Sequence, residues 1–274
     1  PIGNNVVSFG VVYDRKIINQ DSNSSDTTVN ESLGTYSGFD RFIRQNEVIS
    51  KLLEKSEMLD FQSAEQLSYR REKFCHSNHW AFIGESFGFI DPFYSPGSDV
   101  ISRQAYLLEH LLNTKEGELA KNASLINQYC HYEFDLIRQL YVGQYEGFGS
   151  FDVFNIKGLW DFHTYSNRMI WNFYDERFKD LNFIKREVDA APVTLKLTKS
   201  IQQGFIALSK FLQENDMYYR HNQDLYSLRQ NRFRNEEDIL LQYDESRSLE
   251  EHMHICQLCI CEMLNLRFNL NGLE

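Results

Sequence analysis

The chain has 274 residues, 42% of them hydrophobic, and a formal net charge of −11. That length is enough for one large domain or two modest ones around a buried core. The acidic balance excludes a nucleic-acid surface, which needs clustered Lys and Arg. No apolar stretch reaches membrane-spanning length and no signal peptide opens the chain. Five cysteines, an odd number, read as reduced thiols of a cytoplasmic protein and not as a disulfide frame.

In chain order, Pro1-Ile2-Gly3 reads as the inside of a strand, so the chain looks like a piece of something longer. Residues 1–18 predict a hairpin, with Asn4-Asn5 as the turn and Val6 to Tyr13 as its β-rich arm. The Ser/Asn/Asp/Thr-rich run 19–38 predicts a surface loop. Phe42, Ile43, Val48, Ile49, Leu52 and Leu53 recur near helical spacing and predict one amphipathic helix over 39–58. Leu67 to Phe74 alternates polar and bulky residues and predicts a strand. Trp80 to Ile83 predicts a short buried strand. From Ser98 onward the period is helical, with helices expected over 98–113, 118–143, 151–178, 193–214, 235–243 and 247–267. A β-containing part that ends near residue 97, followed by a helical part, makes the fold class α+β.

The run from Gly84 to Val100 carries the chemistry. An apolar strand leads into Gly84-Glu85, then a small-residue turn, Asp91-Pro92, and Ser95-Pro96-Gly97 opening a helix. Glycines let a backbone approach a bulky ligand, and a helix start offers free N–H groups to negative charge. Pro92 fixes φ as the chain bends, and Asp91 reads as a turn-shaping residue more than a catalyst.

Gly84, Gly88, Phe89, Asp91, Pro92, Ser95 and Gly97 resemble, in order and spacing, the second flavin-contacting segment of the flavin-dependent halogenases and their monooxygenase relatives. The opening Pro-Ile-Gly and Ser-Phe-Gly-Val-Val also resembles the strand after that family's Trp-x-Trp-x-Ile-Pro motif, with Pro1 its last residue. The resemblance covers residues 1–110 well. It implies an α/β flavoprotein fragment: 1–110 as the C-terminal part of an FAD-binding sheet domain, and 111–274 as a helical substrate-side domain. It further implies FAD as cofactor, held by Gly84, Glu85, Gly88, Asp91, Pro92, Ser95, Pro96, Gly97 and Ser98. Reduced flavin and oxygen would halogenate or hydroxylate an aromatic or carrier-bound substrate, with electrons from a flavin reductase or NAD(P)H.

Departures shift the details. Glu85 replaces the family's ribityl-binding aspartate with a longer acid. Pro96 removes one of two backbone N–H groups that the family uses around halide. Tyr94 stands where tryptophan halogenases carry glutamate and resembles members acting on phenols, pyrroles or carrier-bound substrates. It is the one catalytic candidate, and it reads first as a pocket wall. No Gly-x-Gly-x-x-Gly follows a strand, so the pyrophosphate grip has to come from an N-terminal FAD-binding half that this sequence lacks. A non-halogenating oxidoreductase and a non-catalytic binding module stand as alternatives.

Two other features are read as core. His252, His254, Cys256, Cys259 and Cys261 have zinc-ligand residue types but lie in an apolar helical run with no second Cys-x-x-Cys. No metal site is expected. Trp160, Phe162, Tyr165, Ile170, Trp171, Phe173 and Tyr174, beside Asp161 and His163, form an aromatic-dense helix that serves as core or as a pocket wall.

Overall fold

The computed structural model describes residues 6–13, 33–220 and 222. They fall into two compact units that divide between Tyr69 and Arg70.

In the first unit the helix predicted over 39–58 is two helices, α1 (Tyr36–Arg44) and α2 (Glu47–Leu53). Thr35 starts α1 inside the expected loop, its hydroxyl accepting from the Gly38 amide at 3.2 Å. Asn46 makes the break. Its Oδ1 accepts from the amides of both Val48 and Ile49 at 3.1 Å, which fits a helix N-cap and competes with continuation of the preceding turn. Val6 forms a β-bridge, but Val7 to Tyr13 form no strand. The Asn4-Asn5 turn and residues 19–32 lie outside the described residues. Of the strand predicted over 67–74, only β1 (Tyr69–Arg70), at the junction of the units, is regular.

The second unit starts with an antiparallel pair, β2 (Cys75–His76) and β3 (Trp80–Ala81), with Cys75 opposite Ala81 and His76 opposite Trp80. The strand expected to be buried at Trp80 to Ile83 is not. Trp80 is 42% exposed and Ile83 45%, while Phe74 and Cys75 are fully buried. The pair is too short to be covered on both faces, and the Trp80 ring stacks on His76 at 5.6 Å instead of entering the core.

After β4 (Gly88–Phe89) the unit is helical: α3 (Gly97–Leu112), α4 (Glu116–Gln139), α5 (Phe151–Tyr165), α6 (Trp171–Tyr174) and α7 (Leu181–Glu214). A π-helical turn, Ser166–Ile170, joins α5 to α6. It places Arg168 against Glu187 of α7 and the Tyr132 hydroxyl of α4. The helical period places the start of the last described helix at 193, but α7 begins at Leu181 and runs through Pro192. Asp180 caps it by accepting from the Asn182 amide at 2.8 Å, and the neighbouring turns hold the helix across a proline that withholds one N–H. The helices predicted over 235–243 and 247–267, and with them the His252–Cys261 cluster, lie outside the described residues. No described helix is long and apolar enough to cross a membrane.

The core is built where α4 lies along α7, with α3 and the hairpin closing it. Phe74, Leu107, Ile126, Phe178 and Ile184 are fully buried there, each side chain contributing roughly 1.5–3 kcal/mol through burial. Cys75 belongs to the same core, and its thiol donates to the Ala123 carbonyl at 3.6 Å. Burial pushes that thiol up to about 12 from an ordinary 9.0. The native state therefore keeps a proton that the unfolded chain gives up. This contribution to stability is complete below pH 9 and is lost as pH rises toward 12. Urea melts across pH 8–11 should show stability falling at the alkaline end, and Cys75→Ala should flatten that slope.

Candidate cofactor cavity

The chain leaves β3 and turns at Gly84, where φ is +59°. A Cβ at this position would stand 2.8 Å from Ile101 Cγ1, so the backbone lies directly on α3. The Gly84 amide donates to Gln104 Oε1 of that helix. A short 3₁₀ turn, Gly84–Ser86, follows. The Ser86 hydroxyl closes it by donating to the Ile83 carbonyl at 2.6 Å and accepting from the Ile83 amide at 2.9 Å. Phe87 is then driven into the core edge-on against Phe74, and the Arg71 amide donates to its carbonyl at 2.8 Å.

Beyond β4, Asp91 shapes the turn as its position suggests. Its Oδ1 accepts from the Phe93 amide at 2.9 Å, and the Ser95 amide donates to the Pro92 carbonyl at 2.9 Å. Ser95 takes φ of +53° directly before Pro96, a left-handed conformation that costs a non-glycine residue about 1–3 kcal/mol. Pro96 is the N-cap of α3 without any side-chain cap bond. The first helical bond runs from the Val100 amide to the Pro96 carbonyl at 3.0 Å, leaving the first-turn amides without helical acceptors.

These segments line a half-open cavity of about 290 Å³. Gly84, Glu85, Gly88, Asp91, Pro92, Ser95, Pro96, Gly97 and Ser98 all line it, and Tyr94 does not. The opposite wall comes from α3 and α4, with Gln104, Cys130, Glu133, Phe134 and Ile137. Sequence reasoning missed those five, because each sits at an ordinary helical core spacing. Glu85 Oε1 lies 4.0 Å from the place a Cβ on Gly97 would take, so this acid faces the start of α3. Glu133 is ion-paired with Arg103 in the interior. Burial pushes the Glu133 carboxyl up, and Arg103 opposes that shift. Arg103 Nη2 is buried and has no protein acceptor.

Tyr94 points away from the cavity into a polar cluster. Its hydroxyl donates to Asp161 Oδ2 at 2.8 Å, and the Gln202 amide donates to Asp161 Oδ1 at 3.1 Å. Lys157 pairs with Asp161 and donates to the Leu140 carbonyl at 3.0 Å. Burial lowers the Lys157 ammonium despite that partner and raises the Asp161 carboxyl. Burial and Asp161 push the Tyr94 phenol well up. The i, i+4 spacing of Lys157 and Asp161 within an aromatic helix was the readable signal for this cluster. The aromatic run itself divides: Trp160 is buried, whereas Phe162, Trp171, Phe173 and Tyr174 are exposed. The side chain of His163 is not described. Among the described residues no group of three or more His, Cys, Asp or Glu could hold a metal ion.

Over 121 residues the chain is 29% identical to a flavin-dependent halogenase of Dictyostelium discoideum, chlA. The likeness is to a flavin enzyme. The matched region is 44% of this chain and spans 18% of that relative's length. No family model and no solved structure matches. This distant, partial likeness supports a halogenase-like chain and a flavin cofactor at that level of description.

Proposed function

We propose that the chain supplies the ring-binding and substrate-side portion of an FAD-dependent, halogenase-like oxidoreductase. The observation that carries this reading is that all nine residues of the 84–98 run implied by the resemblance line one cavity. Its volume of about 290 Å³ lies at the lower end for ligand sites. It suits a planar ring and not a whole dinucleotide. The fit is made by backbone: Gly84 lies flat on α3, and the uncapped first turn of α3 faces the same space.

When bound, the flavin supplies the redox chemistry with oxygen. The chain's own share is local. Gly97 and Ser98 amides offer donors at the helix start, while Phe134, Ile137 and Cys130 keep water from the inner wall. Glu85 is the acid placed to orient a polyhydroxyl chain at the cavity edge. The pyrophosphate grip belongs to a nucleotide-binding partner region, and electrons come from a flavin reductase or NAD(P)H. The substrate is an aromatic small molecule or a carrier-bound group.

By itself the chain should quench FAD fluorescence only weakly, and co-expression with the nucleotide-binding region of a halogenase should retain yellow flavin. A tight one-to-one FAD complex of the chain alone would overturn the division of the site; a colourless co-expressed complex would overturn the flavin reading. A second reading, an oxidoreductase that forms no carbon–halogen bond, is favoured by Pro96, which has no N–H to give at the helix start. Assaying the flavin-loaded complex with bromide and phenolic or indolic compounds separates the two, since halogenated product excludes the second.

A further inference from the structure

The segment that rims the cavity carries an unusual set of bonds to the helices behind it. The Tyr145 hydroxyl donates to Asp91 Oδ2 at 2.6 Å, the Tyr94 hydroxyl to Asp161 Oδ2 at 2.8 Å, and the Tyr165 hydroxyl to Asp99 Oδ2 at 3.0 Å. Two of the bonds tie the loop before α3 to the helical part, and the third ties Asp99, in the first turn of α3, to the end of α5. Two use one stripe of α5, where Lys157, Asp161 and Tyr165 recur at i, i+4 and i+8 and so share a helix face.

We propose that Tyr94, Tyr145 and Tyr165 are positioning residues whose three phenol–carboxylate bonds hold segment 91–99 in the shape that forms the cavity rim. Ser95 explains the need. A non-glycine residue at φ +53° before a proline does not hold itself. The bonds on either side fix Asp91, Tyr94 and Asp99, leaving the intervening Ser95–Pro96–Gly97 one path across the cavity. Charged acceptors make these bonds stronger than neutral ones. The Asp161 acceptor is itself fixed by Lys157 and Gln202. The chemical consequence is a rigid slot suited to a flat ring and poorly suited to a flexible chain. This inference rests on the cavity being the ligand site, but its geometry does not depend on which ligand enters.

Tyr→Phe changes keep every ring and delete only the hydroxyls, so the triple variant Y94F/Y145F/Y165F and each single variant can be compared with the parent. Amide exchange by mass spectrometry should quicken at least about fivefold at Phe93 and Ser95, the amides bonded to Asp91 and Pro92 within the segment. Exchange in α4 should stay near the parent value in every variant, and each single variant should lower the melting temperature by only the few degrees that one lost hydroxyl bond costs. Riboflavin, which carries the ring and its ribityl chain without the nucleotide, should bind the triple variant about tenfold more weakly, from the loss of a held rim. Unchanged exchange at Phe93 and Ser95 in all four variants would overturn the proposal. So would a uniform rise in exchange across the unit with a collapse in melting temperature, which marks ordinary packing. If riboflavin fails to bind the parent, the flavin reading falls, and the exchange contrast alone decides the proposal.

Discussion

Glu133→Ala is expected to be the most damaging single change in the helical unit, costing about 3–5 kcal/mol. For a domain of this size that corresponds to a fall in melting temperature of roughly 6–20 °C. Arg103 and Glu133 are 2% and 7% exposed at their side chains, and Arg103 already has one nitrogen without a protein acceptor. Once Glu133 is gone, the guanidinium cannot relieve its burial by losing a proton. Replacing both partners with apolar residues of similar size, Arg103→Met with Glu133→Leu, should recover most of the loss, because the desolvation cost leaves with the charges. Thermal melts of the two singles and the double form a cycle. A double variant as unstable as Glu133→Ala would show that the pair's worth lies in shape and not in charge.

Asp161→Ala is the second large effect, about 3 kcal/mol at neutral pH, and it differs in kind. Lys157 and Asp161 are 1% and 3% exposed, and the change also strands the Tyr94 hydroxyl and the Gln202 amide. Unlike Arg103, Lys157 can answer by deprotonating, since burial already lowers its ammonium from 10.5. Without Asp161 the folded value drops further, so the native state binds fewer protons than the unfolded chain. Stability then rises with pH between the lowered folded value and 10.5. Denaturant melts of Asp161→Ala should show the deficit shrinking from pH 7 to pH 10, while that of Glu133→Ala stays constant over the same range. A deficit independent of pH would mean that Lys157 stays charged inside.

The contrast between these pairs also explains what could be read from the sequence. The cavity rim was legible because its demands fall on residue type: glycine at φ +59° over Ile101, an aspartate bonding two residues ahead, a proline opening a helix. The wall opposite was not. Glu133, Cys130 and Gln104 occupy helix positions whose spacing is that of any buried face, and only the packing of α3 on α4 brings them together as the cavity wall. Helix positions followed the period closely for α3 and α4. The period misled at Asn46, where a side-chain cap won over continuation, and at Pro192, where tertiary packing carried α7 through a residue that usually ends a helix. Trp80 was misplaced because hydrophobicity suggests burial, whereas a two-residue strand has a face left over. Tyr94 stands out by its place in the motif, and the partner of its hydroxyl, Asp161 of α5, could not be read from the motif.

On the proposed reading, residues 84–98 form the face for a flavin ring. The most direct test is an amide NMR titration of the isotope-labelled chain with riboflavin, which carries the ring without the nucleotide. The account predicts saturable shifts at Gly84, Glu85, Gly88, Gly97 and Ser98, and across the cavity at Cys130 and Ile137, with the exposed Trp171–Tyr174 aromatics silent. Absence of shifts at saturating riboflavin, or shifts centred on those exposed aromatics, would contradict it.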